Sequence, residues 1–365
     1  MFGMGPAGLF LARQLFRAGY EVIGIGKEDD IGRYSNTLKE YYATEEVSVI
    51  KSIIGRNCEN QKNITAYICS DQYLTMFLEE WPEIFSLLSF SEPGKEMLEL
   101  IADKERLIEY CRKIGVSFPA KYDCDEHEER ICFPVAIKPN VKRGYSPIAK
   151  ISVIDNREQL VDFLKNAEEK GLSKNELIIQ QYIPGNNLYE YGYGGYFRNG
   201  QIVVDVTFMQ LRQYPQGVSC YTCEVTKAED IKAIKNLVMP FIEANNYDGF
   251  IQFDIKKHAT TGEFYVLDIN PRPWGSVSIL SPKCESSSIF EEDYIPDKSK
   301  SRWRFPVKEA VSFRNRQNVT YKQIDALLPV GYVTVVDLYD KRDRKPFLMQ
   351  LPIAFMKIWK KIRWR

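Results

Sequence analysis

Several residue types that define other protein classes are scarce in this chain. It has two histidines, His127 and His258, in 365 residues. No Ser-His or Cys-His arrangement is read from it, and so few histidines weigh against a zinc site. No apolar run approaches the roughly 20 residues that a membrane helix needs. The N-terminus lacks a basic region followed by an apolar one, so no cleavable export signal is expected. The eight cysteines have no framework spacing, which favours a reduced, cytoplasmic setting. Cys220 and Cys223 form the one CxxC. No second pair accompanies it, and it reads as strand packing rather than a zinc or redox site. Net charge is zero, with 49 basic and 49 acidic residues, which leaves no broad basic surface for nucleic acid.

What is present describes an ordinary globular chain, 44% apolar and 27% charged, long enough for two or three packed units. The densest chemistry lies in residues 264–276, FYVLDINPRPWGS. Residues 264–269 read as a buried strand. Asp268 and Asn270, two apart, leave the same face of it. Pro271 and Pro273 stop ladder pairing, and Arg272 stands between them on a stiffened backbone. A second strand, residues 249–256, carries Asp254 near its end, and Thr260, Thr261 and Gly262 mark the turn between the two. A hairpin of this kind gathers Asp254, Asp268 and the Asn270 amide oxygen. Three hard oxygen donors at a strand end suit magnesium, which keeps waters and takes substrate phosphate as its other ligands. An apolar strand, PVAIKP, delivers Lys138 just before a proline, a fixed cation suited to phosphate oxygens.

These motifs resemble the ATP-grasp superfamily, whose members join a carboxylate to an amine through an acyl phosphate. The resemblance runs over residues 3–276, with its specific motifs between Lys104 and Ser276. It implies an α/β and α+β fold: an N-terminal Rossmann-like pre-ATP-grasp domain (residues 1–96), a sub-domain with Lys104 and Lys138 (97–180), a sub-domain with the metal site (181–282), and a C-terminal extension with a basic amphipathic tail (283–365). It places Asp254, Asp268 and Asn270 on the metal, two Mg²⁺ ions with Mn²⁺ as a substitute, and Arg272 on phosphate. Lys104 and Lys138 fall on the two nucleotide-binding lysines. Gln180, Gln181, Tyr182 and Ile183 fall on the adenine hinge, where relatives carry glutamates for the glutamines, and Glu190 is a candidate for the ribose. Residues 140–150, with Lys142, Arg143, Gly144, Ser146 and Lys150, match the loop that closes over the triphosphate. The stretch 209–218 resembles the carboxylate–amine ligase subgroup, close to D-aspartate ligases of cell-wall synthesis, and there Arg212 lies near the metal end as a catalytic guanidinium. Small-molecule carboxylate and amine substrates follow, one of them part of a cell-envelope glycan or peptide, along with a homodimer.

Other readings stand beside this one. Gly3, Gly5 and Gly8 match GxGxxG before a helix and a strand at 20–25. The first strand is almost missing, so either the true start lies upstream or the edge is truncated. No acid ends the second strand to hold a ribose, which weakens an NAD or FAD oxidoreductase. A catalytically degenerate nucleotide-binding or scaffold protein is the other alternative. Further strands are expected at 65–70, 176–183, 192–197, 201–209 and 330–338. Helices are expected from Gln72 to Glu79, from Met97 to Ile114, over 157–169 and over 309–316. Residues 123–130 read as a surface loop. The tail from Arg344 has seven Lys and Arg and no acid, so the first 343 residues carry −7. As a helix it sets Ile353, Phe355, Ile358, Trp359 and Ile362 on one face. Such a helix suits peripheral contact with the inner membrane face, or docking on its own domain or a partner.

Overall fold

The computed structural model describes residues 1–60, 64–90, 93–122, 131–140, 147–149, 151–284, 286–327 and 334–363; of the side chains at 60, 357–358 and 360–363 nothing is said. The expected surface loop at 123–130 lies outside the described residues, as do 141–146 and 150 of the expected phosphate-covering loop and 330–333 of the last expected strand.

The chain opens as a short parallel layer. Phe2 bridges both Ile25 and Ile68, and strand Val22–Gly26 pairs in parallel with Leu38–Ala43. The glycines of the first turn are needed sterically. Gly3 turns at φ +88°, and a Cβ on Gly8 would lie 2.1 Å from the Gly3 carbonyl oxygen. Glycine there lets helix Pro6–Arg17 start hard against the strand. The turn's own amide is already engaged, since Met4 N–H donates to Asp30 Oδ2 at 2.9 Å. The expected strand at 65–70 is cut to Thr65–Ala66 plus the Ile68 bridge. Ser70 instead caps helix Asp71–Glu80, its Oγ accepting from Gln72 N–H at 3.3 Å. The helix expected from Met97 to Ile114 is two helices, Lys95–Ala102 and Lys104–Lys113. Asp103 divides them as an N-cap, accepting from Arg106 N–H at 3.2 Å, and this sets Lys104 at the first turn of the second helix.

Two sheets follow, antiparallel except for the last strand pair of the larger one. The smaller runs Lys121–Tyr122, Leu177–Gln181, Val135–Pro139, Ser152–Ile154 in spatial order. Helix Arg157–Glu169 covers it, with Leu160 and Ala167 packed on Val135, Ile137 and Ile179. The larger has seven strands. In spatial order they are Phe264–Asn270, Gly249–Lys257, Glu190–Arg198, Gln201–Gln213, Ser219–Glu224, Arg302–Arg304 and Thr334–Val336. Asn199 and Gly200, at φ 50° and 70°, make the two-residue turn of its central hairpin. One face packs on helix Ala228–Ala244 through Ile234, Val238 and Phe241. The opposite face packs on helix Pro6–Arg17 together with Trp274, Val277 and Trp303.

The C-terminal region, expected as an extension from residue 283, adds strands to the large sheet. Strand Arg302–Arg304 pairs with Ser219–Glu224 and Thr334–Val336 pairs with Arg302–Arg304, which completes the large sheet. Asp343 then returns to the N-terminal unit. It takes Arg13 Nε at 2.9 Å and Ser35 Oγ at 2.6 Å, all of them buried. The polar helix expected at 309–316 is helix Pro306–Val311 followed by a 3₁₀ turn.

Candidate active site

A cleft of about 990 Å³ runs between the N-terminal unit, the helix bearing Lys104 and the hairpin 249–270. The hairpin sets its chemistry. Asp254 stands directly across from Asp268, and Gln252 across from Asn270. The register then shifts, so Ile255 faces Val266 and Leu267 is left as a bulged residue. That bulge frees the Leu267 carbonyl, which accepts from Lys138 Nζ at 3.2 Å. The strand alternation continues through the site, with Ile269 buried and Asp268 and Asn270 half-buried.

Asp254, Asp268, Asn270, Lys104 and Arg272 all line the cleft. Two amides orient Asp254: Gln210 Nε2 and Gln252 Nε2 each donate to Oδ1 at 2.9 Å. Lys104 Nζ lies 3.6 Å from Asp268 Oδ2. Arg272 forks onto Asp71 of the N-terminal unit, with Nε at 2.5 Å and Nη2 at 2.6 Å from its two carboxylate oxygens. Burial alone would lower the Arg272 pKa, but Asp71, with Asp254 and Asp268 behind it, raises it above the usual value. The floor beside the metal-type donors is aromatic. Trp274 stacks on Phe208 at 6.0 Å with planes 6° apart. A Cβ on Gly194 would fall 2.6 Å from that indole, so a glycine strand is what admits it.

The hinge between the sheets holds the remaining predicted residues. Gln181 N–H donates to Ala120 O at 2.8 Å and Tyr182 N–H to Pro134 O at 3.3 Å. Ile183 N–H is the hinge donor with no partner among the described residues. The Gln180 side chain is 2% exposed, and its Nε2 has no partner among the described residues. Such an orphaned donor calls for an acceptor that the described residues do not supply. Glu190 pairs with Lys256 at 2.5 Å. Burial raises its pKa, the Lys256 cation works against that rise, and the charges of Asp254 and Lys138 reach it.

Arg212 departs from its expected place. It is 8% exposed and does not line the cleft. Its Nη2 and Nε donate to Ser312 Oγ at 2.6 and 3.1 Å and its Nη1 to Val319 O at 2.8 Å. The guanidinium also lies 4.7 Å from the Tyr321 ring centroid. Its donors serve the returning C-terminal segment and tie Ser312 and Val319 to the sheet. Arg212→Met is expected to destabilise the fold by about 2–3 kcal/mol, because it leaves buried acceptors unpaired. Thermal melting checks this, while ligand turnover per folded molecule stays within about threefold.

Gln210, Gln252 and Asp71 were not anticipated from the sequence. Gln252 sits two residues before Asp254, and that spacing was the available signal for it. Asp71 and Gln210 reach the site only through tertiary packing.

Two sheets closing on a cleft at the end of a Rossmann-like unit define the ATP-grasp fold, and the chain has that fold. Solved structures with it include the biotin carboxylase domain of Hydrogenobacter thermophilus 2-oxoglutarate carboxylase in complex with MgADP, ADP and bicarbonate (TM-score 0.61, 16% identity, 76% of this chain and 65% of that one). N5-carboxyaminoimidazole synthetase from Staphylococcus aureus, complexed with ADP, is another (TM-score 0.59, 18% identity, 77% of this chain and 72% of that one). In sequence the chain is similar to a D-aspartate ligase of Enterococcus faecium (strain Aus0004), 23% identical over 232 residues. The match takes in 60% of this chain and 55% of that ligase, so it spans little more than half of the relative's length. No family model matches the chain.

Proposed function

We propose that the chain is an ATP-dependent carboxylate–amine ligase that forms an amide through an acyl phosphate and releases ADP and phosphate. The observation that carries this is the cross-strand pair of Asp254 and Asp268, beside Asn270, Lys104 and Arg272 on one cleft wall. Two carboxylates and an amide oxygen fit Mg²⁺, with Mn²⁺ as a substitute. Asp254, Asp268 and Asn270 would hold it, and when bound the ion would supply positive charge against the phosphate groups.

The chain's own residues do the rest by position and charge. Ile183 N–H and the orphaned Gln180 amide supply donors for the adenine edge, and Gln181 and Tyr182 shape the hinge around it. Glu190, held by Lys256, is the carboxylate for the ribose. Lys104, Lys138 and Arg272 draw charge from the triphosphate, fixed so that little reorganisation is needed as the reaction proceeds. A substrate carboxylate oxygen attacks the γ-phosphorus, the bond to the β-phosphate oxygen breaks, and ADP leaves. The amine then attacks the acyl carbon, phosphate departs with the bonding electron pair, and the nitrogen loses a proton. No protein nucleophile takes part. The similarity to a D-aspartate ligase supports an amino acid as the carboxylate, with an envelope glycan or peptide as the finer reading of the amine.

The test is phosphate release from ATP and Mg²⁺ across a panel of amino acids and uronic acids, with and without added amines. Release that requires one carboxylate is the expected result. ATP binding by calorimetry without carboxylate-dependent release would replace this reading with a nucleotide-binding scaffold. Absence of ATP binding would remove it altogether.

A further inference from the structure

We propose that the C-terminal helices dock in the plane of an anionic lipid surface. The proposal is independent of the ligase chemistry. Helices Lys345–Leu348 and Gln350–Arg363 are anchored by buried Pro346, Gln350 and Ile353. Outward from that anchor stands an apolar stripe: Leu348 (67% exposed), Leu351 (59%), Phe355 (69%) and Trp359 (58%). Leu351, Phe355 and Trp359, four residues apart, lie on one face of the second helix, and Leu348 ends the first. Scattered single apolar residues are normal on a surface, but an ordered stripe of leucine and aromatics marks a contact face.

Charge selects the occupant. From Arg344 onward the chain has seven cations and no acid, and the first 343 residues carry −7. An anionic surface attracts this segment and repels the remainder, which fixes which side of the protein faces it. A second copy meeting the same segment would bring two stretches of seven cations and no acid together, so charge opposes a symmetric dimer there. No described helix is long and apolar enough to cross a membrane. The exposed leucine and aromatics suit a helix lying in the interface, on a segment whose sequence is basic throughout.

The experiment is co-sedimentation of the full chain with phosphatidylcholine vesicles, with and without phosphatidylglycerol, at low and high salt. Binding is expected only with phosphatidylglycerol and should weaken as salt rises. The double change Lys360→Gln, Lys361→Gln should weaken it by about thirtyfold, two cations' worth of attraction to the anionic surface. Phe355→Ser with Trp359→Ser should weaken it by about tenfold or more. Far-UV melting confirms that each variant is folded, and Trp359→Ser alone is the milder variant if the serine pair is not. No sedimentation with anionic vesicles at low salt would overturn the proposal, as would binding that both pairs leave unchanged. A dimer in analytical ultracentrifugation that the serine pair abolishes would overturn it in favour of self-association.

Discussion

Asp268→Asn is expected to cut carboxylate-dependent phosphate release by about a thousandfold, the scale of losing a charge-stabilising group in a preorganised site. It should do so without loss of stability. Asp254 and Asp268 are directly opposed across a strand pair, where like charges destabilise the sheet. A neutral amide of the same shape removes that repulsion. What it gives up is the 3.6 Å ion pair with Lys104, whose side chain is 34% exposed. Pairs of that kind contribute at most about 1 kcal/mol. The melting temperature is therefore expected to hold or rise while turnover collapses, which is the signature of a site kept at some cost to the fold. Both are measured on one preparation, by phosphate release and by thermal melting. Turnover and melting temperature falling together would give Asp268 a structural role instead. Asp254→Asn differs, because Gln210 and Gln252 both donate to its Oδ1. An asparagine there keeps both bonds only with its amide oxygen in the Oδ1 position, since its N–H group turned that way would face both donors.

The pairing of Asp254 with Asp268 was legible because two regular strands joined by a short turn leave few choices of register, and a period of two fixes the face. The bulge at Leu267 was not, since one more apolar residue in an apolar strand carries no mark. The lysine it receives, Lys138, could be read as a fixed cation but not located. Asp71 meets Arg272 across 201 residues of sequence, and no local pattern encodes such a contact. Arg212 shows the same limit from the other side. An arginine in a strand looks alike whether it faces a ligand or a later segment, and its partners Ser312 and Val319 lie about a hundred residues on, in short turns with no periodicity. The strand expected at 330–338 is present over Thr334–Val336 among the described residues. Arg302–Arg304 has three residues, too few to show a period of their own, and is specified by pairing with an existing sheet edge. In the tail, Ile353 and Phe355 were placed on one face. Two residues on a helix are about 200° apart, and Ile353 is buried while Phe355 is exposed.

Arg272→Lys should lower turnover by about a hundredfold while the protein stays folded, because a lysine keeps the charge but not the two-pronged geometry. The guanidinium holds both oxygens of Asp71 in a two-pronged contact, the geometry in which an arginine also takes phosphate. Asp71 is therefore an internal competitor as well as a support. Its side chain is 63% exposed, so Asp71→Asn should change stability by less than about 1 kcal/mol. With the carboxylate gone, the fork is available to an incoming anion at smaller cost, and ATP should bind about three- to tenfold more tightly. The two substitutions read opposite sides of one contact. Isothermal titration with ATP and phosphate release on both variants check them together: Arg272→Lys indistinguishable from the unaltered chain would remove Arg272 from the phosphate site, and Asp71→Asn binding ATP more weakly would make Asp71 a positioning residue that the guanidinium needs.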